Sequence, residues 1–405
     1  MKRPRVVVTG LGVVSSIGLG WKPFWESLLA GRSGIRRVRY IDTSNYETHV
    51  GGEVVGFEPQ HFMSISDAKE LGRGAQFAIA ATKMALEDAK FPISIDEAPA
   101  LRIGVCLGTT MADIQALEEM NQTWVDSDEK SVPGSLVTRY PSCTISANVA
   151  KHFGCTGPNL MIPTACAAGN YAISYAFDLL RLHKADVMIA GGVDPFSRIA
   201  FTGFNRMFAV APERCQPFDK NRQGTLIGEG AGILLLERLE DAQQRKAPIY
   251  AEVSGYGLSC DGQHMTIPEP NGITRVMTRA LRDAEIKPQD VDYISAHGTG
   301  TPANDRAECA AIKEVFGSYV SKIPVSSIKS MLGHTMGAAS ALEAIACVLA
   351  VHTNQIPPTI NFETPDPECD IDCVPKVSRQ HRVNIALNNS FAFGGNNACL
   401  VFAQV

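Results

Sequence analysis

Apolar residues recur along this chain at two spacings that take turns. Unbroken apolar runs read as strands: 6–14 near the amino terminus, 103–108, 291–296 and 323–328. Between them lie stretches with helical apolar spacing at 78–89, 171–181 and 274–284, and an alanine-rich one at 337–351. Two of these match each other. The helix ending Ala85-Leu-Glu-Asp-Ala89 leads to the strand 103–108 and then Thr109-Thr110, and the helix ending Ala280-Leu-Arg-Asp-Ala284 leads to the strand 291–296 and then His297. A similar β/α order in both parts implies a duplicated α/β architecture, and helices between strands favour mostly parallel sheets. The polar stretch 243–248 is the natural connector. It divides the chain into halves 1–248 and 249–405 that share one cooperative fold.

The strongest chemical candidate is Cys166, in the run 159–170. A short apolar stretch, read as a buried strand, ends in a thiol crowded by Ala165, Ala167, Ala168 and Gly169, and the helical spacing begins just after. A thiol at the positive end of a helix has its pKa lowered toward the nucleophilic thiolate. Two glycine-flanked histidines raise Cys166 above the other cysteines. His297 stands in Ala296-His-Gly-Thr-Gly-Thr301 and His334 in Lys329-Ser-Met-Leu-Gly-His334, each after a strand-like run. One cysteine and two histidines at strand ends, with Lys329 nearby, form a nucleophile and acid/base set.

Composition narrows the class. The chain has 405 residues, 45% apolar and 20% charged, which are ordinary globular values for a chain able to bury a large core. A net charge of −5 argues against nucleic-acid binding, which needs a basic surface. The amino terminus does not read as a secretion signal, and no apolar run suits a bilayer span, so no membrane role is expected. The 11 cysteines are odd in number and scattered, which fits reduced thiols in the cytoplasm. Cys369 and Cys373 lack a second pair, so no metal site is expected.

With these residues in view the chain resembles the β-ketoacyl-acyl carrier protein synthases of the I/II type. The resemblance rests on Thr164-Ala-Cys166, Gly228-Glu-Gly-Ala-Gly232, Ala296-His-Gly-Thr-Gly-Thr-Pro302, Lys329-Ser-Met-Leu-Gly-His334 and Asn389-Ser-Phe-Ala-Phe-Gly-Gly395, in that order. It runs from Val6 to Phe402. It implies the thiolase-like α/β fold, duplicated halves in a five-layered αβαβα arrangement, and an acyltransferase without a cofactor of its own, its substrates carried on phosphopantetheine.

Under that resemblance Cys166 carries the acyl group, and the backbone N–H groups of Cys166 and Phe393 face the oxyanion. His297 and His334 donate to the enolate left when malonyl thioester loses carbon dioxide. Lys329 orients this network with Glu308. Thr299 and Thr301 hold the phosphopantetheine arm, Met111 lines the acyl pocket, and Phe393 gates it. The acidic carrier protein requires a local basic patch, for which Lys69, Arg73 and Lys130 are the candidates. A homodimer is implied, with 135–137 near the segment that crosses between subunits; a heterodimer with a paralogous chain-length-factor subunit is the alternative.

Several positions depart from the family pattern. Ala392 removes one glycine hinge at the gate, Asn396 replaces a threonine, and Pro163, Ala167, Ala168 and Gly300 stand where other small residues are usual. These changes open a specialised polyketide or polyene pathway beside fatty-acid synthesis. A decarboxylating or chain-length-factor-like subunit is disfavoured by the intact Cys166, His297 and His334. A thiolase would need a second cysteine near 390–395, and there is none before Cys399.

Overall fold

The computed structural model describes residues 4–91, 102–126 and 132–405. In the first half it has β1 (Val6–Ser15), α1 (Arg73–Asp88), β2 (Ile103–Gly108), α2 (Cys143–Phe153), β3 (Asn159–Ile162), α3 (Ala168–Arg181), β4 (Val187–Asp194), α4 (Arg198–Arg206) and β5 (Gly230–Arg238). The second half has β6 (Ala251–Cys260), α5 (Pro270–Asp283), β7 (Tyr293–Ser295), α6 (Pro302–Phe316), β8 (Val325–Ser326), α7 (Ala339–Thr353), β9 (Ile385–Phe391) and β10 (Asn396–Ala403).

The duplication is explicit in the strand order. The sheet runs β8-β7-β9-β10-β6-β1-β5-β4-β2-β3. Counted outward from the centre, each half reads first, last, fourth, second, third. Pairing directions repeat as well. In both halves the first–last and last–fourth pairs are antiparallel, and the fourth–second and second–third pairs are parallel. The expectation of mostly parallel sheets is therefore corrected to mixed ones. The last strand of each half runs back antiparallel to the fourth, after a long segment that carries α4 in the first half and after a short turn in the second. The halves join where Val6–Val8 of β1 pairs with β6. The division expected at 248/249 falls in the segment between β5 and β6.

Five layers follow from where the apolar faces go. Helix α1 covers the outer face of the first half, packing Phe77, Ile79 and Ala81 with Leu107, Ile189 and Ile233 of the strands. Helices α5 and α6 cover the outer face of the second, where Met277 and Ile312 meet Ile294 and Leu387. Helices α3 and α7 lie between the two faces with Val8, Leu11, Leu234 and Leu400. Each such buried Val, Leu, Ile, Met or Phe contributes about 1.5–3 kcal/mol. The long apolar stretch 336–353 is this central helix, buried for 89% of its residues, so its composition reflects a core and not a bilayer. Among the described residues no other helix is long and apolar enough to cross a membrane.

Four strand and helix expectations shift. Helix α1 starts at Arg73, earlier than its apolar spacing suggested, and the strands expected at 291–296 and 323–328 shorten to 293–295 and 325–326. The run 159–162 is the outermost strand of its half, with Leu160 exposed, and not a buried one. An apolar run reads alike whether the chain itself or a second molecule covers it.

Candidate active site

Cys166 is the middle residue of a 3-10 turn, Ala165–Ala167, between β3 and α3. Ala165 takes φ 50. Its small side chain lowers the penalty of that left-handed conformation, which points Sγ back toward the second half. The Ser390 hydroxyl donates to the Cys166 carbonyl at 3.0 Å and so fixes the turn. Cys166 and His334, together with His297, form the floor of a cleft whose walls include Phe204, Met265, Ile267, Thr299, Thr301 and Phe393. The histidines follow β7 and β8, so each half supplies one part of the set.

The geometry fixes how each imidazole is used. His334 Nε2 lies 3.0 Å from Cys166 Sγ. The Met336 N–H donates to His334 Nδ1 at 3.2 Å, which leaves the ring proton on Nε2, facing the sulfur. Lys329 Nζ is 3.4 Å from His297 Nδ1 and donates to the His297 carbonyl at 2.7 Å. An ammonium can only donate, so His297 also carries its proton on Nε2. The two rings stand edge to face, centroids 5.6 Å apart. Burial, then Lys329, holds both histidines well below their ordinary pKa of 6.5. Two neutral N–H donors therefore converge on the space over Cys166.

The thiol differs from the sequence-based expectation. Burial pushes Cys166 up to about 12, and the opposing pull of Lys329 does not overcome it. The helix end is present, but a sulfur buried at the bottom of the cleft has lost most of the water that would solvate a thiolate. The resting nucleophile is a thiol. The Cys166 sulfur and one ring nitrogen each of His297 and His334 lie within 4.8 Å of one another, close enough for a soft metal, although the Lys329 ammonium next to them disfavours a cation.

Lys329 does not pair with Glu308. It forms a buried ion pair with Glu343, on α7. Glu308 accepts the backbone N–H groups of His297 and Gly298, both at 2.8 Å, and so shapes the histidine turn. Burial pushes each of these carboxyls up to about 7. Glu343 was missed, yet it left a signal: a lone acid in the apolar stretch 339–351 needs a cation. Asp194, at the end of β4, was missed as well.

Other expected residues fall in three groups. Thr299 and Thr301 lie on the cleft wall, their hydroxyls 2.9 Å apart. Phe393 also lines it and stacks on Phe204 at 5.4 Å. Gly394 and Gly395 hold the positive φ of that loop (81 and 75), while Ala392 is extended at φ −118, a backbone that any residue adopts. Met111 is half-buried beside Ser197 and is not among the cleft walls. Arg73 is locked in a two-pronged pair with Glu229 at 2.8 and 2.7 Å, so it offers no free charge to a partner. Lys69 is exposed, and Lys130 lies outside the described residues. The Gly228–Gly232 motif is architectural. Glu229 holds Arg73, and the Gly228 N–H bonds the His334 carbonyl at 2.9 Å.

A layered duplicated fold with a cysteine and two imidazole donors at one cleft defines a thiolase-like condensing enzyme. Residues 3–242 match the family described as Beta-ketoacyl synthase, N-terminal domain, and 250–363 match its C-terminal domain. The 3-oxoacyl-[acyl-carrier-protein] synthase 2 of Synechocystis is 41% identical, covering 100% of this chain and 99% of that protein. Its Coxiella burnetii counterpart is 40% identical over the whole of both chains. Among solved structures, the ishigamide ketosynthase/chain length factor superposes with a TM-score of 0.96 at 43% identity, covering all of both chains. A type II polyketide synthase ketosynthase, solved with its acyl-carrier protein and bound to the hexaketide, gives 0.91 at 33%, again covering both chains fully. The chain belongs to the beta-ketoacyl synthase family, and it is an acyltransferase.

Proposed function

We propose that this protein is a β-ketoacyl-acyl carrier protein synthase that joins an acyl group held on Cys166 to malonyl carried by an acyl carrier protein. The observation that carries the reading is the convergence of two neutral imidazole N–H donors on the Cys166 thiol at the bottom of a cleft. Loading exchanges one thioester for another. The Cys166 sulfur bonds the acyl carbon, the pantetheine sulfur leaves, and the thiol proton follows it. The His334 N–H and the α3 end steady the sulfur as it ionises. In the second step malonyl thioester releases carbon dioxide, and His297 and His334 donate to the enolate oxygen. The enolate carbon attacks the acyl carbon, the carbon–sulfur bond to Cys166 breaks, and the released thiolate takes up a proton from solvent to restore the resting thiol. No cofactor of the enzyme's own is needed.

The exposed apolar edge strand β3, with Val137 exposed on the 134–139 helix, supports a dimer built across that edge. The partner is a second copy or a paralogue. The relation to both synthase 2 enzymes and a ketosynthase/chain length factor supports either fatty-acid or polyketide extension. Free thiols throughout suit the cytoplasm. With Arg73 locked, Lys69 is the remaining described member of the docking patch.

Intact-protein mass spectrometry with a panel of acyl-carrier thioesters tests the reading. Expected are an acyl adduct on Cys166 and, after malonyl carrier is added, carbon dioxide with an extended β-ketoacyl product. Loading without extension would point to a different acyl transfer and sink the proposal.

A further inference from the structure

The turn that carries Cys166 is made a second time. Met336–Ala338 is a 3-10 turn leading into α7, as Ala165–Ala167 leads into α3, and the first residue of each has a left-handed backbone, φ 51 and φ 50. Gly337 therefore occupies the place of Cys166. A side chain cannot be added there, because a Cβ would lie 2.5 Å from the Thr109 carbonyl carbon and 2.6 Å from the Thr110 nitrogen. At this second turn, the helix-end N–H that a substrate oxygen would meet in the first half is already taken. The Asp194 carboxylate accepts the Gly337 N–H at 2.6 Å.

The same carboxylate accepts the Thr109 hydroxyl at 2.6 Å, the Thr110 N–H at 2.7 Å and the Met111 N–H at 3.1 Å. Asp194 is 1% exposed and has no ion-pair partner among the described residues, so these donors are what keep it. One short side chain thus clamps the 109–112 turn, with Met111, onto the residue after Met336. The Met336 N–H in turn holds His334 Nδ1, whose far nitrogen faces Cys166. We propose, on the reading given above, that Asp194 is a positioning residue for condensation: it sets where His334 stands over Cys166. It touches neither substrate nor reacting atoms.

The test uses the purified full chain. Asp194→Asn keeps the shape, but its amide must turn a donor toward two of the groups that now donate. The turnover number of condensation should fall about 10²-fold, the range for losing one aligned donor. The Michaelis constant for malonyl carrier, and the rate of acyl loading on Cys166 read by intact mass, should change far less. Thr109→Val removes one clamp contact and should lower turnover about tenfold, while Thr109→Ser keeps the hydroxyl and should restore it. Equal losses in loading and condensation that track a lower melting temperature would make Asp194 a structural residue and overturn the inference. So would wild-type turnover in both Asp194→Asn and Thr109→Val. If Asp194→Asn does not fold, the Thr109→Val and Thr109→Ser pair decides. A wild-type protein that loads no acyl group and releases no carbon dioxide would remove the proposed reaction first, and this inference with it.

Discussion

At Cys166 and at Gly337 the chain makes one turn twice, and only the first copy carries a reactive side chain. The first ends β3, opens α3 and presents a thiol. The second ends the run after β8, opens α7, and is closed by an internal carboxylate. The second half has instead placed its chemistry one turn earlier, as His334, and after β7, as His297. Duplicating a fold supplies two equivalent helix ends, each able to meet an anion. On the proposed reading, one is kept for substrate and the other holds the protein's own frame.

Removing the side chain that separates the two turns should have the largest effect. Cys166→Ala makes the first turn resemble the second, and condensation should vanish while the melting temperature stays near wild type. The small neighbours already tolerate the turn without help from sulfur. Condensation close to the wild-type rate in that variant would end the distinction between the halves.

Next in size are the imidazoles. His297→Ala or His334→Ala should each lower condensation by about 10²–10³, with a smaller loss in acyl loading, because each removes an N–H aimed at the enolate oxygen. His334 also touches the sulfur at 3.0 Å, so its loading defect should exceed that of His297. Rapid-quench measurement of the two half-reactions checks the order, and equal small losses in both would break it.

How much of this was legible in the sequence depends on the range of the interaction. The strand–helix order and the weak match between 78–89 and 274–284 pointed to the duplication, since hydrophobic period is a local signal. Cys166, His297 and His334 stood out because glycine and alanine crowd them. The Lys329 partner was misassigned to Glu308. Both acids are buried and feel the charge of the same lysine, and the choice of Glu343, 14 residues after Lys329 in sequence, depends on how α7 packs. Asp194 gave no signal at all, because its partners Thr109 and Gly337 come from opposite halves. The thiol differs for a related reason: a helix end can be read from sequence, but burial at the bottom of a cleft cannot.

The buried groups of the second half respond to pH in two opposite senses. In the folded chain both stay neutral below 6.5, whereas the unfolded chain takes up protons there. Their share of stability is therefore intact above 6.5 and lost as the pH falls, by up to about 1.4 kcal/mol per unit for each. Glu308 and Glu343 act oppositely. Raised from 4.5 to about 7, they hold protons that the unfolded chain has released, so their share falls as pH rises through that window. Replacing both histidines by Ala should make the chain gain stability relative to wild type as the pH drops below 6.5. Urea unfolding on either side of 6.5 measures it; a constant difference would mean that the imidazoles are charged in the folded protein.

The smallest effect expected is at Met111, and it tests what the first half does besides supplying the thiol. Met111 follows β2 as Thr299 follows β7, yet Thr299 faces the cleft and Met111 does not. Its side chain lies by Ser197, and its N–H is held by the Asp194 clamp. If acyl chains extend from Cys166 past that clamp, Met111→Trp fills the distal end of their path. The longest accepted chain should then shorten while short chains react as before, because nothing near Cys166, His297 or His334 has changed. A thioether adapts to different chains where an indole cannot. The readout is turnover across a series of saturated acyl carriers. Equal slowing at every length would place Met111 in the frame that holds His334, and the first half would then shape the chemistry through the clamp without measuring the chain.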